Sequence, residues 1–111
     1  MKPAHLLTAA AAALFVLSSA ANAAVDEDAA NALLKKEKCT KCHSVDKKKD
    51  GPSYKDTAAE LKGKPDAAEK LRKHLTTGPT IKVDGKEEKH AIIKTKDDAA
   101  INNVIQFILS R

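Results

Sequence analysis

The chain has 111 residues, with 20 Lys and Arg against 15 Asp and Glu, a net charge of +5, and 3% aromatic residues. It is too short for a multidomain enzyme and too charged for a membrane channel. Two cysteines are too few for a disulfide-dense toxin.

In chain order, Lys2 precedes an apolar run from Leu6 to Leu17, and Ala21-Asn22-Ala23 follows with the small-x-small pattern of a signal-peptidase site. The run falls short of the about 20 apolar residues that a membrane span needs. Residues 1–23 are therefore expected to be an export signal, cleaved after Ala23, with a single domain at 24–111 delivered to the periplasm; an uncleaved membrane anchor is the alternative. Those 88 residues carry 19 basic and 15 acidic side chains, and their large aromatics are Tyr54 and Phe107. A domain of this size buries too little surface to be comfortably stable alone. Something besides side chains should fill its middle.

Val25 to Lys38 predicts a helix, because Asp26, Glu27 and Asp28 favour its start and Ala30, Leu33 and Leu34 form an apolar stripe. It runs into Cys39-Thr40-Lys41-Cys42-His43, which holds both cysteines. A local disulfide, half a zinc site and a thioredoxin-like pair are the competing readings. Zinc wants four ligands and no second cysteine pair exists, while the Lys- and Ala-rich flanks lack the strands of a βαβ unit. C-x-x-C-H is the attachment sequence of c-type haem. Two thiols form thioethers with the vinyl groups, and the next residue offers an imidazole to the iron. The apolar macrocycle also supplies the missing interior.

Lys47, Lys48 and Lys49 open a loop that closes on the turn signal Asp50-Gly51-Pro52. Asp56 to Lys62 predicts a short helix stopped by Gly63. Pro65 suits the first position of the next helix, which carries Ala68, Leu71 and Leu75 and ends before Gly78-Pro79. Thr80 to Thr95 is expected to be irregular, polar apart from Ile81, Val83, Ile92 and Ile93. In the last helix, Thr95 and Asp98 suggest a capping box, and Ile101, Val104, Ile105 and Ile108 share one face. The first and last helices are expected to pack on each other. Strand signals are nearly absent, so the fold class is all-α.

Taken together, these residues resemble the small bacterial class I c-type cytochromes over nearly all of 24–111. The resemblance rests on Cys39 to His43, on Gly51-Pro52-Ser53-Tyr54-Lys55-Asp56 followed by Ala58-Ala59, and on Lys70-Leu71 through Gly78. Asp97-Asp98 and Phe107-Ile108-Leu109-Ser110 complete it. It implies about four short helices around one covalently attached haem with an exposed edge. It also implies that the carbonyl of Pro52 accepts a hydrogen bond from the His43 imidazole, raising its basicity. The family's second iron ligand is a methionine, but the one methionine here is Met1, in the expected leader. Counting back from Asp97-Asp98, His90 stands in its place, giving a bis-histidine pair of His43 and His90. Ala91 and Ile92 beside it would help the ring turn inward. His74, Lys89, Lys94 and an open site are the alternatives, as is a simply exposed His90.

The expected function is an exported one-electron carrier rather than an enzyme. Its potential should be low, because two imidazoles favour Fe(III) more than a methionine–histidine pair does. Lys35, Lys36, Lys38, Lys41, Lys47, Lys48 and Lys49 lie near the motif in sequence; they either steer an acidic redox partner or simply solvate a small domain. A monomer is expected, with no nucleic acid and no stable membrane insertion. From another class, the alternative is a binder or sensor of NO, CO or O2 whose His90 dissociates.

Overall fold

The computed structural model describes residues 24–111; the expected leader and its cleavage site lie outside the described residues. The elements are α1 (Glu27–Lys36), a 3-10 turn (Cys39–Lys41), α2 (Tyr54–Leu61), α3 (Ala67–Thr77), β1 (Thr80–Val83), β2 (Lys86–Lys89) and α4 (Asp98–Leu109). The fold is mostly helical with a small two-stranded sheet.

Helix α1 begins where Asp26 accepts the Ala29 N–H at 2.9 Å, with Glu27 and Asp28 in its first turn and Lys35 and Lys36 in its last. Both biases complement the helix dipole. Ala30 and Leu34 face inward, and α1 lies against α4. There Ile101, Val104, Ile105, Phe107 and Ile108 are all buried. Asn103 pins the crossing: its amide donates to the Asp26 carbonyl at 2.8 Å and its oxygen accepts the Asp26 N–H at 2.9 Å. Arg111 closes the same end on Glu27 at 2.6 Å. Tyr54, Leu71, Leu75 and Ile93 complete the core.

Several boundaries differ from expectation. Helix α2 starts at Tyr54 rather than Asp56, because buried Ser53 accepts the Asp56 N–H at 3.0 Å and caps it. Pro65 lies ahead of α3 rather than in its first turn. The capping box of Thr95 and Asp98 does not form. Asp97 caps α4 instead, accepting from the Ala99 and Ala100 N–H groups at 3.0 and 3.2 Å, while Thr95 accepts the Asp97 N–H. One carboxylate at 97 satisfies two of the free N–H donors of the first turn, so the helix starts there.

The largest departure is Thr80–Lys89, which is an antiparallel hairpin and not an irregular stretch. Asp84 and Gly85 form its turn at φ 49° and 77°. Two successive positive φ values make a turn whose twist matches paired strands, and Asp-Gly suits it. Lys82 faces Glu87 across the strands. The charged sequence of β2 masked a strand held by its turn and its partner.

Candidate functional site

The motif turn is set by the backbone just before it. Lys38 sits at φ 61°, left-handed, and swings the chain out of α1 into the 3-10 turn. The Cys42 and His43 N–H groups both donate to the Cys39 carbonyl, at 3.2 and 3.1 Å. One short turn thus carries both cysteines, which are half-buried and unbridged. Burial, with a smaller contribution from Glu37, pushes the Cys39 thiol pKa up.

The following loop folds back beneath His43. Gly51 N–H donates to the Cys42 carbonyl at 2.8 Å, and Tyr54 N–H to the Ser44 carbonyl at 2.9 Å. Lys49 ties the loop across to the motif, its ammonium donating to the Thr40 carbonyl at 2.7 Å. This puts the Pro52 carbonyl 2.7 Å from Nδ1 of His43. A carbonyl only accepts, so Nδ1 carries the proton and Nε2 keeps its lone pair. Gly51 lies so close that a Cβ there would stand 2.5 Å from Cε1 of the ring. On another side Tyr54 stacks on His43, with ring centroids 5.6 Å apart and planes 20° apart, and meets Phe107 edge-on. The Tyr54 hydroxyl is buried without a partner, and burial raises its pKa well above the usual phenol value.

His90 follows β2. Its N–H donates to the Pro79 carbonyl at 2.9 Å, and Ile93 N–H donates to the Leu75 carbonyl at 2.8 Å, so the segment is anchored at both ends. Its ring is 6.0 Å from that of His43, centroid to centroid, and 4.1 Å from that of His74 on α3. Nδ1 of His90 is buried with no hydrogen-bond partner. Burial lowers the pKa of both His90 and His74; the His74 imidazole lowers that of His90 further, and the His43 imidazole that of His74. The inward-turning segment differs in detail from expectation: Ile93 is buried, while Ala91 and Ile92 are exposed. An open cavity of about 520 Å³ adjoins His90, with Lys36, Lys38, Lys89 and Lys94 at its rim.

Of the residues singled out from sequence, Cys39, Cys42 and His43 share one turn, the Pro52 carbonyl meets the His43 ring, and the His90 ring lies 6.0 Å from it. Sequence reasoning missed the roles of Gly51 and Tyr54 against the His43 ring, though both stand beside Pro52 in the string that carried the resemblance. It also missed that His74 and His90 touch. Nothing in their spacing of 16 residues signals that contact.

The donor set suits a metal that brings its own frame. Among the described residues, no three His, Cys, Asp or Glu gather as a metal site. Two imidazoles 6.0 Å apart, with two thiols on the turn that carries one of them, are a donor set that would suit a covalently tethered metal macrocycle. Residues 27–111 match the family model for cytochrome c.

The chain belongs to the cytochrome c family. It is similar to the class 1 cytochrome MtoD from Sideroxydans lithotrophicus ES-1, at 50% identity over 78% of this chain and 97% of that one, with a TM-score of 0.75. It is also similar to cytochrome c552 of Nitrosomonas europaea, at 30% identity over 72% and 96%, with a TM-score of 0.58. No curated protein matches at a significant level. The fold is thus that of class I cytochromes, and this cytochrome carries one covalently attached haem c for which Cys39 and Cys42 form the attachment motif. Cytochromes of this family are electron carriers rather than enzymes, and a redox partner is implied. No helix among the described residues is long and apolar enough to cross a membrane.

Proposed function

We propose that this cytochrome is an exported, low-potential, one-electron carrier whose iron is held between His43 and His90. The observation that carries the reading is the ring separation. Metal–imidazole bonds of about 2 Å, with about 1 Å more from nitrogen to ring centre on each side, put two centroids roughly 6 Å apart across one ion. His43 and His90 stand 6.0 Å apart.

When bound, the haem supplies a one-electron Fe(III)/Fe(II) couple. The chain's own residues tune it. Pro52 holds the Nδ1 proton of His43 and so leaves Nε2 a stronger donor. Cys39 and Cys42 tether the ring edge through thioethers. His90 replaces a thioether ligand, since the chain's one methionine is Met1. Two imidazoles favour the oxidised ion, which lowers the potential relative to methionine-bearing relatives.

The main-chain bonds from His90 to Pro79 and from Ile93 to Leu75 support a ligand retained in both oxidation states. Lys36, Lys38, Lys89 and Lys94 around the open cavity join the lysines of the motif region as an exposed basic rim for an acidic redox partner. Lys89 and Lys94 come into that rim only through the fold.

The test is a visible spectrum of the reduced, matured protein with and without CO, beside an EPR spectrum of the oxidised form. A low-spin bis-imidazole EPR signal and an unchanged reduced spectrum under CO are expected. A rapid CO shift would instead identify a gas-binding protein with a dissociable His90.

A further inference from the structure

The side of the site opposite His43 holds two imidazoles. His74 lies on α3 beside buried Leu75, and the bond from Ile93 N–H to the Leu75 carbonyl draws the His90 segment along the end of that helix. The two rings are 4.1 Å apart and inclined at 56°. No hydrogen bond joins them, and Nδ1 of His90 is buried without any partner. His74 therefore does not orient His90 in the way that a carboxylate or carbonyl orients a metal-bound histidine. Its side-chain hydrogen-bonding capacity is uncommitted, and it lies within one ring's width of the position that His90 occupies.

We propose that His74 is a reserve axial ligand, able to replace His90 without leaving the sixth coordination position open. This rests on the reading that His90 is the resident ligand. In the exchange, the bond from His90 nitrogen to iron breaks and one from His74 nitrogen forms. Both imidazoles stay neutral and keep their ring proton, so no electron or proton is gained or lost. The distance to be covered is about the ring separation, 4.1 Å. The consequence is that losing His90 gives a second bis-histidine state rather than a five-coordinate site. Neither lysine nearby is needed for this, although Lys89 and Lys94 also border the cavity.

The experiment compares four matured holoproteins: the native chain, His74→Ala, His90→Ala and the double variant. Oxidised visible and EPR spectra report spin state, and stopped-flow mixing of the reduced proteins with CO reports access to iron. The native chain and His74→Ala should share one low-spin signal. His90→Ala should remain low-spin with altered g values. It should bind CO about tenfold more slowly than the double variant if His74 leaves only about a tenth of the molecules open. The double variant should be high-spin.

Three results would overturn the proposal. If His90→Ala is already high-spin and binds CO as fast as the double variant, His74 does not move in. If the double variant stays low-spin with the same g values as His90→Ala, a group other than His74 is the replacement. If His74→Ala alone opens the site and His90→Ala changes nothing, His90 is not the resident ligand and the proposed function's ligand pair fails with it. Should the double variant not mature, His74→Phe on the His90→Ala background keeps a ring against Leu75 and gives the same discrimination.

Discussion

Gly51→Ala is the sharpest probe of how His43 is held. The added carbon would stand 2.5 Å from Cε1, 2.9 Å from Nδ1 and 3.0 Å from Nε2 of the ring. Carbon atoms pack at about 3.5–4.0 Å, so ring or turn must give by about 1 Å. The Tyr54 stack limits retreat on that side, and the ring is chained to Cys42. The bond from Nδ1 to the Pro52 carbonyl, now 2.7 Å, then stretches past the ~3.2 Å limit of a good N–H···O contact. Overpacking costs about 1–3 kcal/mol, and the lost hydrogen bond adds about 1 kcal/mol. Together they should lower the thermal midpoint by roughly 10 °C or more in a domain of this size. The potential should rise, because an imidazole without its acceptor is a weaker donor. Thermal melts followed at the haem absorbance, together with protein-film voltammetry, read both effects. Pro52→Ala is the control: the carbonyl belongs to the main chain and remains, so the potential should barely move. A Gly51→Ala protein with native melting and native potential would refute the seating of His43 against this turn.

His90→Met should raise the midpoint potential and introduce the weak near-infrared absorption of sulfur-to-iron charge transfer; if both stay unchanged, His90 is not the ligand. Asp97→Ala should cost about 1 kcal/mol in denaturant unfolding and Thr95→Ala less, since Asp97 is the cap of α4. A larger loss from Thr95→Ala would restore the capping box expected from sequence. Lys38→Gly should stabilise the protein by about 0.5–1 kcal/mol, because φ 61° is strained for lysine and free for glycine. A destabilised Lys38→Gly protein would show that the lysine side chain itself matters there.

The helices were legible because their signals are local. The spacing of Ile101, Val104, Ile105 and Ile108 predicts one buried face, and all four are buried. Asp26 caps α1 within an acidic first turn that the sequence displays openly. The hairpin was not legible in the same way. Asp84-Gly85 is a strong hairpin signal, but Lys86-Glu87-Glu88-Lys89 has no apolar alternation, and every residue of β2 is exposed. Such a strand is specified by its partner and its turn, not by a buried face.

The attachment motif belongs to the sequence alone, since two thioethers and an adjacent imidazole need only five consecutive residues, Cys39 to His43. So does the expectation that a sulfur ligand is missing, because the one methionine is Met1, inside the expected leader. The surroundings of each histidine are another matter. That Gly51 and Tyr54 flank the His43 ring depends on a loop folding back through main-chain bonds, and these carry no side-chain signature. That His74 lies beside His90 depends on the register of an extended segment along α3, set by Ile93 against Leu75. Chemistry carried by neighbours in the chain survives as a string, whereas contacts between distant residues exist only after packing has chosen which faces meet.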